Sequence, residues 1–442
     1  MVRESKSLFQ LSWPIYIELL FFMLMGVADT LMLSQYSDLS VAAVGNAQRI
    51  TSLFTVLLNV VAIGVGVVVS QYLGAQKEAD AKMAIKSGLY SNTLIALVLV
   101  VIIQIFGRSI FHLINTDAEI FDASLLYLRI FSLGLLFIAM TQASGAGFKS
   151  FGQTKLLMVI VGVSNVLNVI LNAFIIFGLW IFPELGETGA AISSVISKAA
   201  GLTIALIFLY KRLGVHPFFL RFQPMAVHFV KIIKIGLPSA LEAFVYQFTQ
   251  VILLSFINII GTYALTAHVY IQNMMMPVLV FALALAQGNQ VIVGWRVGAK
   301  NYEGAYQRTI HTLKFAILIV LTIATLMYLN AEWILSIFTD DEQIINAAVR
   351  SMQVVIVLEV GRLSNLVVIQ ALRASGDVVF PVIIAIFSML GIAIGLSYVF
   401  GVRLEFGLVG IFIGLAADEC MRGLLVFIRW LRRDWEGKRV TT

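Results

Sequence analysis

Cysteine is almost absent from this chain. Cys420 stands alone in an apolar run, which excludes an intramolecular disulfide framework. The five histidines (His112, His216, His228, His268, His311) are scattered, with no H-E-x-x-H pair and no Cys/His cluster, so no zinc centre is written into the sequence. There is no G-x-x-x-x-G-K-[ST] loop and no soluble domain to house one, so nucleotide does not energise the protein and no ATPase subunit is implied. With no G-x-S-x-G either, an enzyme of any kind is not expected. Charge is scarce as well. Only 12% of residues are Asp, Glu, Lys or Arg, against about 25% in soluble domains.

What fills the sequence is apolar. Hydrophobic residues make up 60% of the chain and the mean hydropathy is +0.96, the composition of an all-α polytopic membrane protein. Hydropathy predicts twelve spans, near residues 11–34, 50–73, 86–107, 123–146, 156–178, 187–210, 234–258, 271–295, 311–330, 347–371, 378–401 and 407–430. The first span follows a basic start (Arg3, Lys6) and runs well past signal-peptide length, so it reads as a retained helix. With the N-terminus taken as cytoplasmic, 22 of the 30 lysines and arginines fall in loops on that side. The positive-inside rule therefore predicts cytoplasmic termini, a multi-pass protein of the inner (plasma) membrane, and a net charge of +6 that reflects topology and not nucleic-acid binding.

The two halves repeat. A shift of 224 residues lays Pro14 on Pro238, Glu18 on Glu242, Gln48 on Gln272, Asp117 on Asp341, Lys149 on Arg373 and Gly152 on Gly376. After a three-residue contraction, Gly186 and Gly189 meet Gly407 and Gly410. Six spans separate equivalent positions, so the halves share one orientation and are related by a pseudo-two-fold along the membrane normal. The expected organisation is an N-terminal lobe over residues 1–212, a basic cytoplasmic connector over 213–233, and a C-terminal lobe over 234–442 with a basic tail.

Polar groups inside the spans carry what chemistry there is. Asp29 is the costliest, because a charge at that depth is unfavourable by at least ~2.5–3.5 kcal/mol. It reads as a proton or cation site, or as a helix-packing acid satisfied by Asn and Ser neighbours. Asn168 and Asn172 in span 5 lie four residues apart and share a helix face. Span 6 offers Ser193, Ser194, Ser197 and Lys198, and oxygens and amides packed around one carboxylate can load a proton or hold sodium. In the second half, Glu359 with Arg362 (i,i+3) and Asp418 with Arg422 (i,i+4) have the spacing of internal ion pairs. Glu18 and Glu242, each just after a repeated proline, suggest a structural role common to both lobes.

The chain resembles the multidrug and toxic compound extrusion (MATE) transporters over essentially its whole length. The residues that carry the likeness are Ala28-Asp29-Thr30 with Met32, Gln71-x-x-Gly74-Ala75, Gly236-Leu237-Pro238 and Ala371-Leu372-Arg373-Ala374-Ser375-Gly376-Asp377. The Asp29 helix and the Asn168-x-x-x-Asn172 spacing are most similar to the DinF-like branch. That resemblance implies ion coupling at Asp29, Asn168, Asn172 and Ser194, with Pro14 as a gating kink. The second helix 5 position, often aspartate in that branch, is Asn172, which leaves one carboxylate fewer and makes a proton simpler than sodium. The NorM-like branch places its acids on helices 7 and 10, where Glu242 and Glu359 would form an altered second-lobe cation site. The implied activity is export of amphipathic, often cationic small molecules by alternating access, with no cofactor beyond the coupling ion. A lipid or lipid-linked oligosaccharide flippase is the alternative within transport, and a non-transporting structural or sensory membrane protein the alternative outside it.

Overall fold

The computed structural model describes residues 6–216 and 222–441, with backbone only for 222–225. It is helical almost throughout. In chain order the long helices are α1 (Leu8–Ser34), α2 (Asp38–Gly74), α3 (Glu78–Leu113), α4 (Ala118–Ser150), α5 (Thr154–Ile176) and α6 (Gly186–Leu213). They continue with α7 (Phe222–Ile260), α8 (Thr262–Gly298), α9 (Tyr302–Leu329), α10 (Glu342–Ser375), α11 (Val379–Arg403) and α12 (Gly407–Leu431). A short helix, Ala331–Ser336, follows α9. Among the described residues, the first eleven are long and apolar enough to cross a membrane. The 25-residue α12 has the length but carries Asp418, Glu419 and Arg422 in its middle, and such charges in a span mark function or internal pairing.

The chain divides into two compact units. Lobe 1 runs over Trp13–Gly236, and lobe 2 over Leu237–Thr442 together with Ser7–Ser12. The connector expected over 213–233 is shorter than the basic composition suggests. Gly214 closes α6 in the left-handed conformation, and the chain is helical again from Phe222. Residues 222–236 thus belong to α7, and Ile232 and Gly236 pack on α2. A Cβ on Gly64 would lie 2.2 Å from the Ile232 carbonyl oxygen, and one on Gly236 would lie 2.0 Å from that of Val60. This is the small-residue crossing that lets membrane helices touch backbone to backbone. Lobe 2 has a close approach at the same offset, to a side chain, where a Cβ on Gly288 would meet Ser12 Oγ at 2.2 Å.

The repeat extends to local geometry. Asp117 caps α4 by accepting from the Glu119 N–H, and Asp341 caps α10 by accepting from the Gln343 N–H. Gln76 and Lys300 both end their turns at positive φ, as do Gly152 and Gly376. The α11 helix departs from its α5 counterpart, widening into π-helical turns at Ser388–Ala393 and Ser397–Arg403. Behind α12, the basic tail folds onto lobe 2. Trp435 is fully buried and stacks on Trp430 at 4.2 Å, and Lys438 pairs with Asp377 at 2.8 Å.

Candidate functional site

Lobe 1 gathers the expected residues. Asn172 Nδ2 donates to Asp29 Oδ1 at 2.6 Å, joining α5 to α1 across 143 positions of sequence. Asn168, one turn earlier on the same face, lies behind it, as the i,i+4 spacing requires. With its oxygen toward Asn172, the Asn168 amide accepts from Asn172 Nδ2 at 3.2 Å and donates to Ser197 Oγ at 3.1 Å and Ser194 Oγ at 3.4 Å. Turned over, its nitrogen reaches Asp29 Oδ1 at 3.2 Å while its oxygen accepts from the Ser194 N–H and Ser197 Oγ. The orientation that gives Asp29 a second donor also gives the Asn168 oxygen two donors on α6. Asn172 is fully buried and its Oδ1 has no protein partner. Asp29 itself is half-buried.

Three further groups surround this centre: Ser197 and Lys198, expected from span 6, and Tyr127, which was not singled out. Lys198 lies one turn beyond Ser194 on α6 and interacts electrostatically with Asp29. Tyr127 of α4, almost wholly buried and bonded to Gln48, also lies within electrostatic reach of Asp29. Ser197 is as close a partner of Asn168 as Ser194 is. The oxygen donors suit a hard cation, but the site has one carboxylate and a nearby ammonium. Among the described residues no group of three His, Cys, Asp or Glu could hold a metal ion. Pro14 is buried within a continuous α1, nearly two turns from its start.

The repeated glutamates are ion-paired in both lobes. Lys149 Nζ lies 3.0 Å from Glu18 Oε1, and an Arg373 guanidinium nitrogen lies 2.6 Å from Glu242 Oε2. The two basic partners are themselves repeat equivalents, so each lobe ties its first helix to the end of its fourth by the same link. Glu242 and Glu359 are not brought together by any described contact. Glu359 bonds Arg362 at 2.5 Å, and Arg422 grips Asp418 through Nε and a terminal nitrogen and lies 2.9 Å from Glu419. The expected i,i+3 and i,i+4 pairs are both formed.

The family model MatE matches residues 14–174 and 238–399. An uncharacterized transporter of Bacillus subtilis, YisQ, is 38% identical over 437 residues, covering 98% of this chain and 96% of the relative. A probable multidrug resistance protein of Thermotoga maritima, NorM, is 25% identical over 444 residues, covering 99% and 94%. Among solved structures, a MOP superfamily transporter from Pyrococcus furiosus superposes with a TM-score of 0.86 at 19% identity over 96% of this chain and 95% of that one. A MATE protein in a bent conformation gives 0.88 at 19% identity over 96% and 94%. These likenesses in fold run through both lobes.

Proposed function

This chain belongs to the MatE family of multi-pass membrane transporters, and from that premise we propose that it is a secondary antiporter exporting amphipathic, often cationic small molecules. It is a transporter and not an enzyme. Full-length matches include relatives named NorM, so the assignment is to the family as a whole and not to its DinF-like branch. In this reading the protein sits in the plasma membrane with both termini cytoplasmic, exchanging drug for an ion by alternating access.

The observation that carries the coupling is the 2.6 Å bond between Asn172 and Asp29, with Asn168 behind it bridging to Ser194 and Ser197. An ionised Asp29 needs donors, and both asparagines supply them. Asn168 connects the Asp29–Asn172 pair to Ser194 and Ser197 on α6, so a change of charge at Asp29 is felt there. Pro14, which cannot donate to the carbonyl four residues earlier, weakens α1 at one point and gives the helix somewhere to bend. Coupling further requires that the ion favour one state, since an ion bound equally to both moves nothing. A proton fits better than sodium because Lys198 already offsets the single carboxylate.

The flippase alternative asks for cationic groups free to hold an anionic headgroup. Arg362 and Arg422, two of the three basic residues nearest the middle of the expected spans, are paired with acids instead, and the third, Lys198, interacts electrostatically with Asp29. Asp29→Asn is expected to abolish drug resistance in cells while the protein remains folded and inserted. Full resistance from that variant would refute coupling at Asp29.

A further inference from the structure

Where the start of α1 meets the start of α5, lobe 1 sets two lysines together without an acid. Lys155, the second residue of α5, places its ammonium 5.6 Å from the centre of the Trp13 ring on α1. Lys6, just ahead of α1, donates to the Gly152 carbonyl at 2.6 Å, in the turn that leads into α5. An ammonium has three donors, so that bond leaves two. The two lysines are within electrostatic reach of each other. Burial, and after it the like charge of Lys155, holds the Lys6 ammonium below the usual lysine range.

Among the described residues neither lysine takes part in an ion pair. The first acid along α1, Glu18, is already bound by Lys149. Lys82, Arg373, Arg429 and Lys438 likewise each have a carboxylate. Two cations packed side by side with neither one compensated favour an anion between them.

Below Lys155 the surface turns apolar. Val159, Val163, Val166 and Ile170 follow it at steps of four, four, three and four, so they continue its face of α5, and all four are exposed. From Lys155 to Ile170 the stripe runs about 22 Å along the helix, more than the ~15 Å of hydrocarbon in one leaflet. Phe21 of α1 packs on Gly162 beside it, and Asn165 donates to the Phe21 carbonyl at 2.8 Å, so the stripe borders a closed α1–α5 seam.

The repeat separates these residues from the scaffold. The 224-residue offset lays Lys6 on Val230, Trp13 on Leu237 and Lys155 on Val379, and all three counterparts are exposed. The repeated helices therefore accept apolar residues at these positions, and their packing requires neither the charges nor the indole.

We infer that this corner of lobe 1 binds one anionic phospholipid, its phosphate between Lys6 and Lys155, its glycerol region against Trp13 and an acyl chain along the Val159–Ile170 stripe. Basic groups at a helix end beside an interfacial tryptophan suit such a headgroup. The lipid is a bound partner and not cargo, because the lysines stand at helix ends above an exposed face. In the topology proposed above it comes from the cytoplasmic leaflet, but the site itself depends neither on that topology nor on coupling at Asp29.

The test is native mass spectrometry of the full chain in detergent, titrated with dioleoyl phosphatidylglycerol or with dioleoyl phosphatidylcholine. One phosphatidylglycerol should bind roughly tenfold more tightly than phosphatidylcholine. Lys6→Gln with Lys155→Gln should weaken it by about twentyfold, near fivefold for each lysine. Lys86→Gln with Lys314→Gln, the same loss of charge elsewhere, should leave it unchanged, as should Lys6→Arg with Lys155→Arg. Lys6→Val with Trp13→Leu and Lys155→Val installs what the other repeat carries, so that variant should elute monodisperse and bind both lipids alike. Water-soluble glycerophosphoglycerol should not displace the lipid; displacement at equal concentration assigns the site to free phosphate esters and overturns the proposal. So does equal affinity of the wild type for the two lipids, or an undiminished preference in the Lys6→Gln, Lys155→Gln variant.

Discussion

Replacing Glu18 by Gln should cost more than any surface change, and the repeat supplies its own control. Glu18 is 5% exposed and 3.0 Å from Lys149, whose side chain is 18% exposed. Removing one partner of a buried pair strands the other, at about 3–5 kcal/mol. Lys149 can swing its ammonium toward water along its flexible stem, which places Glu18→Gln near the lower end, about 3 kcal/mol. Glu242→Gln strands Arg373, which is 8% exposed and cannot shed its charge, so it should approach about 5 kcal/mol. Glu18→Gln with Lys149→Met should regain most of the loss, because a buried pair exchanged for apolar groups is often neutral. Denaturant unfolding of the full chain in mixed micelles, followed by helical circular dichroism, gives the ranking. The reasoning fails if either single variant stays within about 0.5 kcal/mol of wild type, or if the double variant is no more stable than Glu18→Gln.

Asn172→Asp should add the carboxylate that a hard-cation site lacks, so export by that variant should become sodium-stimulated while wild-type export is not; fluorescent-substrate efflux with sodium or choline salts decides it. Gly236→Leu should prevent correct assembly, because even a Cβ there would lie 2.0 Å from the Val60 carbonyl. Gly26→Ala, with nothing within 4 Å of the new methyl, should match wild type or gain up to about 1 kcal/mol. Yield of monodisperse protein by size-exclusion chromatography checks the pair.

Much of this architecture was legible because the bilayer leaves so few solutions. Runs of about 20 apolar residues can only be helices there, and the 224-residue offset carried the lobes. The Asn168–Asn172 face followed from helical period alone, as did the Glu359–Arg362 and Asp418–Arg422 pairs. Contacts between distant helices did not. Glu18 and Lys149 both stood out as repeated positions, yet their pairing spans 131 residues and has no local signature. Lys198 was visible as a span-6 cation, but only packing sets it against Asp29. The start of α7 was masked by Lys231 and Lys234, read as loop charges, whereas Lys231 snorkels to the Tyr72 hydroxyl at 3.2 Å. Glu419 stood beside Asp418 in the sequence, but only packing brings Asn365 to it at 2.8 Å.

The account turns on Asp29 as the group that couples ion to drug. Purified full-length protein in proteoliposomes, with an imposed proton or sodium gradient, measures this directly for wild type and Asp29→Asn. Wild type should move substrate against its gradient when protons are supplied and respond little to sodium, and Asp29→Asn should fall to the leak rate under both. Proton-driven accumulation by Asp29→Asn at the wild-type rate would contradict the account.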